Sequence, residues 1–134
     1  MQCAYCTASN LARRHANGDI SVVLDEIEET VALTRERGIS TTPIFFADDE
    51  FNLPDERHAL AVLSGIVERG LATRIAWRGY FNPTPFSDAL ADLVRDTNGK
   101  VSITVDSAAD GVLAVAQKPF RRRHLDELLA LLED

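Results

Sequence analysis

An α/β fold built on a parallel sheet is what this sequence predicts, on three observations. Amphipathic stretches with helical spacing alternate with short runs of apolar or β-branched residues. Glycines at Gly38, Gly70 and Gly99 recur about every thirty residues, each closing a helical stretch. The repeat has room for one strand, one helix and their turns, which is the βα unit with its right-handed crossover. A doubly wound open sheet and an arc of a β/α barrel both satisfy this pattern, and periodicity does not separate them. In either, ligands gather at the carboxyl ends of the strands.

The first helix is carried by Ile20, Val23, Leu24, Ile27 and Val31, at i, i+3, i+4, i+7 and i+11. Asp19 is placed to cap its start and Gly38 to end it. The run Pro43-Ile44-Phe45-Phe46-Ala47 predicts a strand buried on both faces, its proline at the strand start. Pro54 suits the first turn of the next helix, whose stripe is Leu60, Leu63, Ile66 and Val67 before Gly70. Thr73 to Trp77 is strand-like. Phe86, Ala89, Leu90, Leu93 and Val94 predict a third helix, ended by Asn98-Gly99. Val101 to Val105 is β-branched and predicts a third strand. Two short helices follow, over Ala108 to Ala116 and Arg121 to Leu132, with Pro119 between them. No linker or low-complexity tract divides the 134 residues, so they read as one domain.

Composition narrows the function class. No run of eighteen apolar residues exists, so no transmembrane segment is expected. No basic start leads into an apolar stretch, which argues against a secretory signal. The formal charge of −7 argues against nucleic acid as the main partner, because phosphate binding relies on excess Lys and Arg. Two cysteines, Cys3 and Cys6, make a poor disulfide framework and a better metal or redox pair, for which a reducing cytoplasm is the expected compartment.

The strand exits are polar. The first gives Asp48-Asp49-Glu50-Phe51-Asn52, the second Arg78-Gly79-Tyr80-Phe81-Asn82 and the third Asp106-Ser107. Carboxylates crowded at one sheet edge repel each other unless a cation is bound there. Each has a plainer reading: Asp48 or Asp49 capping a turn, Asn52 capping the next helix, Asp106 or Ser107 as an N-cap. Arg13-Arg14-His15 and Arg121-Arg122-Arg123-His124 read as solvated helix faces. His15, His58 and His124 are too scattered to form a ligand set by spacing, and Trp77 reads as core.

Cys3-Ala4-Tyr5-Cys6 resembles the last four positions of Cys-x-x-x-Cys-x-aromatic-Cys, the cluster motif of radical S-adenosylmethionine (radical SAM) enzymes. The first cysteine of that motif would fall two residues upstream of Met1, so the chain reads as a fragment starting inside the motif, and the upstream reading frame decides this. Phe46-Ala47-Asp48-Asp49-Glu50-Phe51-Asn52 resembles the second-strand exit of radical SAM proteins that also carry a cobalamin-binding domain. Val105-Asp106-Ser107-Ala108-Ala109-Asp110 resembles their fourth-strand exit, and Lys118-Pro119-Phe120 the Lys-Gly-Phe/Tyr turn after it. Val23-Leu24-Asp25-Glu26-Ile27 is similar to their first helix. The family's glycine-rich second-strand motif is absent, and Asp106-Ser107-Ala108 stands where many relatives have Glu-Ser-Gly.

The resemblance implies a partial (β/α) barrel, TIM-barrel-like, with parallel strands inside and helices outside. Residues 1–134 would hold the cluster loop through the fourth strand and its helices. Cys3 and Cys6 would each bind one iron of a 4Fe-4S cluster, and Tyr5 would lie near the adenine of S-adenosylmethionine. Asp48 and Asp49 would meet the methionyl ammonium, Arg78 the carboxylate, and Asp106 and Ser107 the ribose or carboxylate. The chemistry implied is reductive cleavage of S-adenosylmethionine to a deoxyadenosyl radical that abstracts a substrate hydrogen. An electron donor of flavodoxin or ferredoxin type and a small-molecule substrate are the implied partners. Cobalamin, held by a domain outside this chain, would extend the chemistry to methyl transfer or rearrangement. Two other readings of the cysteine pair stand beside this one. A thiol–disulfide module expects a strand directly before the pair, and only Met1 and Gln2 precede it. A non-catalytic α/β domain with a zinc half-site shared with another chain is the third.

Overall fold

The computed structural model describes residues 16–133. The elements are α1 (Ile20–Glu36), β1 (Thr42–Phe46), α2 (Arg57–Glu68), β2 (Ile75–Tyr80), α3 (Asp88–Asp96), β3 (Gly99–Ser102), α4 (Asp110–Val115) and α5 (Arg122–Glu133). This is the order the hydrophobic spacing predicts.

Asp19 caps α1: its carboxylate accepts from the Ser21 amide at 2.9 Å and the Ser21 hydroxyl at 2.7 Å. Leu24, Ile27 and Val31 are the buried stripe. Gly38 and Gly70 follow α1 and α2 with φ of 79° and 63°, left-handed positions that a Cβ would strain. After α3 that position belongs to Asn98 (φ 54°) instead. Gly99 is small for another reason: a Cβ there would lie 2.2 Å from the Trp77 ring.

Four boundaries or environments differ from the sequence reading. Only one face of β1 is covered, with Thr42 buried, Ile44 and Phe46 half-buried against the core, and Pro43 and Phe45 exposed. Pro54 lies in the β1–α2 loop, and α2 begins at Arg57, whose amide donates to Asp55 Oδ1 at 3.1 Å. β2 starts at Ile75 because Arg74 N donates to Leu71 O and so closes a turn over Thr73. β3 starts directly after α3, pairing Gly99 with Trp77, and stops at Ser102. Beyond it a bond from Ser107 N to Val105 O and the positive φ of Asp106 (58°) turn the chain away.

The sheet order is β1-β2-β3, with both pairs parallel. Strands therefore neighbour one another in chain order, with no reversal among the described strands. α1 packs on α2 and α2 on α3, so these helices lie side by side. Val62, Leu63, Ile66, Leu71, Ile75 and Trp77 form the centre of the core between helices and sheet. Full burial of such a side chain contributes about 1.5–3 kcal/mol. The Trp77 indole N–H, which would be costly to bury unpaired, donates to Thr97 Oγ1 at 2.9 Å. A second cluster of Leu113, Phe120 and Leu125 packs on Ile103 and Val105, docking α4 and α5 against the chain leaving β3. No described helix is long and apolar enough to cross a membrane.

Candidate functional site

Parallel strands in sequential order put every strand exit at the same end of the sheet. Asp48 and Asp49 leave β1 as exposed residues. With Phe45, Ala47, Tyr80 and Thr104 they line a concave space of about 320 Å³ that opens to solvent. Phe45 and Tyr80 meet edge to face, ring centroids 5.9 Å apart, and form its aromatic wall. Two carboxylates beside aromatic rings favour a ligand that carries a cation on an apolar frame.

Below this rim lies a buried polar network that joins the exits. Asn52 is fully buried; its amide nitrogen donates to the carbonyls of Asn82 at 2.8 Å and Pro85 at 2.5 Å. Its carbonyl oxygen accepts from the Asn82 amide at 2.8 Å. The Asn82 side chain donates in turn to Glu50 Oε2 at 2.8 Å. Backbone bonds run the same way, from Phe51 N to Tyr80 O and from Phe81 N to Ser102 O. Burial pushes the Glu50 carboxyl above the ordinary carboxylate range, and the Asn82 hydrogen bond and the Lys118 charge offset part of that rise. Lys118, its side chain only 7% exposed, is ion-paired with Asp106. A buried ammonium needs such a partner. The third exit and the turn after α4 are thereby tied to the first.

The sequence-derived candidates fall into different places. Asp48 and Asp49 lie on the concave space, and Asp106 lies in the ion pair with Lys118. Ser107 uses its hydroxyl locally, accepting from Ala109 N at 3.0 Å. Arg78 is not at an exit: β2 continues to Tyr80, which pairs with Ser102, so Arg78 sits within the strand opposite Phe45. Its guanidinium carbon stands 5.4 Å from the Phe45 ring centroid. Cys3, Tyr5 and Cys6 lie outside the described residues. Among the described residues no three His, Cys, Asp or Glu side chains are grouped to hold a metal ion. Sequence reasoning passed over Glu50, Asn52, Asn82 and Lys118 as site residues. A signal existed in the repeat of Phe-Asn, Phe51-Asn52 and Phe81-Asn82, after consecutive strands.

No family model matches this chain, and no curated protein does. Among solved structures it is similar to the radical S-adenosylmethionine methyltransferase TsrM from Kitasatospora setae, determined with cobalamin and a 4Fe-4S cluster bound. A second structure of that enzyme holds tryptophan substrate and the analogue aza-SAM. Each matches with a TM-score of 0.80 and 25% identity over 98% of this chain, which spans 26% of that protein's length. The chain resembles a segment of a cobalamin-binding radical SAM methyltransferase.

Proposed function

We propose that this chain is the S-adenosylmethionine-binding part of a radical SAM enzyme of the cobalamin-associated kind. It would form an arc of a partial (β/α) barrel, with residues 1–134 running from the cluster loop through the fourth strand and its helices. The observation that carries this reading is the structural likeness to TsrM, which extends over nearly the whole chain. The acidic pair of Asp48 and Asp49, open to the concave space at the strand ends, supports it independently.

On this reading Cys3 and Cys6 would each bind one iron of the 4Fe-4S cluster, and Tyr5 would be near the adenine. Asp48 and Asp49 take the methionyl ammonium, an exposed carboxylate pair meeting a cation. Asp106 and Ser107 border the ribose or carboxylate, with Asp106 held in place by Lys118. Arg78, which the resemblance implies for the methionyl carboxylate, lies in the body of β2 rather than at its exit, and on this reading its guanidinium serves an oxyanion on the sheet face instead. Asn52 and Asn82 fix the loops that carry the acidic pair. When bound, the cluster and S-adenosylmethionine would supply reductive cleavage of the sulfonium, and cobalamin from a domain outside this chain would supply methyl transfer or rearrangement. A small-molecule substrate, an electron donor of flavodoxin or ferredoxin type and a reducing cytoplasm complete the proposal.

The test uses the intact protein, reconstituted with iron and sulfide without oxygen. Cys6→Ala is expected to abolish the broad brown absorbance and S-adenosylmethionine cleavage together. Asp49→Ala is expected to keep the colour and weaken S-adenosylmethionine binding about ten- to a hundredfold, the value of a charge-assisted hydrogen bond. Unchanged binding by Asp49→Ala returns the acidic pair to a turn-capping role. A colourless wild-type protein overturns the cluster assignment.

A further inference from the structure

The face of the sheet turned away from the helices is not that of a solvated strand. Across it Phe45, Arg78 and Lys100 stand in one row, each opposite the next in the parallel register. The two cations share that face. Trp77, next to Arg78, is buried in the core, and Gly99, next to Lys100, abuts the Trp77 ring. Alternation along each strand therefore sends Arg78 and Lys100 the other way. Both are exposed. Neighbouring strands lie about 4.8 Å apart, so like charges directly opposite repel. Neither has a carboxylate partner among the described residues, whose ion pairs involve other cations. The row is continuous with the concave space at the strand ends, because Phe45 touches Arg78 and also lines that space with Tyr80. Tyr80 is two residues beyond Arg78, roughly 6.6 Å along the strand.

We infer that Arg78 and Lys100 form an oxyanion site for the substrate, with Phe45 and Tyr80 as its aromatic flank, and that the substrate is a small molecule carrying a carboxylate or phosphate next to a flat apolar group. Arg78 presents a planar fork to the oxyanion and Lys100 a second positive charge, and the bound anion relieves their mutual repulsion. The acidic pair at the rim and the basic pair deeper on the same face then select opposite charges. The inference rests on the proposed function in taking this face as the wall of the reaction chamber.

Benzoate and phenyl phosphate, with benzamide as the neutral control, are titrated into the intact protein by calorimetry, and S-adenosylhomocysteine binding is measured in parallel. At least one of the two anions is expected to bind, and benzamide at least tenfold more weakly. Arg78→Met and Lys100→Met are each expected to weaken the anion at least tenfold and to leave the circular dichroism spectrum unchanged, since both side chains are exposed. Whichever anion loses more affinity in both variants identifies the oxyanion as carboxylate or phosphate. The inference is overturned if neither anion binds, if benzamide binds as well as they do, or if either variant binds like wild type. Retained S-adenosylhomocysteine binding with no anion binding overturns this inference alone. Anion binding without S-adenosylhomocysteine binding overturns the cofactor reading instead.

Discussion

Removing the Asn52 side chain should damage this fold more than any surface change at the strand ends. The residue is fully buried and spends its amide on three hydrogen bonds, two given and one accepted, all to the backbone around Asn82 and Pro85. Asn52→Ala deletes three bonds with a net value of about 1 kcal/mol each and leaves their buried partners unpaired, so the expected loss is about 3–5 kcal/mol. For a cooperative unit of this length that lowers the melting temperature by roughly 10–18 °C. Equilibrium unfolding in urea gives the free energy directly, and the slope should be unchanged if only the native state is affected. Asn52→Asp should be at least as harmful, because it replaces two donated bonds by an acceptor facing two carbonyl oxygens. An N-cap role, the plainer reading of Asn52, predicts a loss of only about 1 kcal/mol. A measured loss near that value refutes the idea that Asn52 joins the first two strand exits.

Glu50→Gln tests the burial that raises the Glu50 carboxyl. A raised acid holds its proton longer in the folded state, so the stability tied to the neutral form is present below the unfolded value, about 4.3, and is lost as pH rises through the folded one. The glutamine keeps an acceptor for Asn82 and cannot ionise; it should be more stable than wild type at pH 7, with the gap closing near pH 4 in urea unfolding. A less stable variant at pH 7 would mean that the Lys118 attraction outweighs burial. Gly99→Ala must push a methyl into the rigid Trp77 ring, 2.2 Å away, and should cost about 1–3 kcal/mol, with Trp77 fluorescence shifted as the indole leaves Thr97. A neutral substitution there would show that β3 can slide away from β2 without penalty.

Helix existence was legible because it rests on local rules. The stripe from Ile20 to Val31 needs only a 3.6-residue period, and Asp19 and Gly38 mark its ends by side-chain capping and a positive φ. Strand limits were less legible because pairing partners set them. Val101 to Val105 has good strand propensity throughout, yet β3 ends at Ser102 where Tyr80, the last residue of β2, has its partner. The same cause moved Arg78 from an expected exit into the body of β2. Pro54 fits a helix start by composition, but the turn through Asp55 delays α2 to Arg57. Within the site, the acidic pair could be found from sequence because its position after an apolar run is itself the signal. The network behind it could not: Asn52 meets Asn82 thirty residues away, and Lys118 meets Asp106 from the far side of α4.

The reading of β1 as buried on both faces was mistaken, and its failure bears on function. All-parallel sheets are normally covered on both sides, which is why a run such as Ile44-Phe45-Phe46 invites that reading. Here α1, α2 and α3 pack side by side, and the opposite face keeps Phe45 half exposed and Tyr80 nearly so. That face combines two aromatic side chains with two cations that stand opposite each other and have no ion-pair partner among the described residues. The proposed β/α barrel would resolve this, since closure would turn the bare face into an interior wall whose side chains serve ligands rather than solvent. The proposed barrel and the proposed oxyanion site therefore explain the same feature at two scales. Closure would account for the uncovered apolar area, and a bound anion would account for two like charges, Arg78 and Lys100, standing opposite each other.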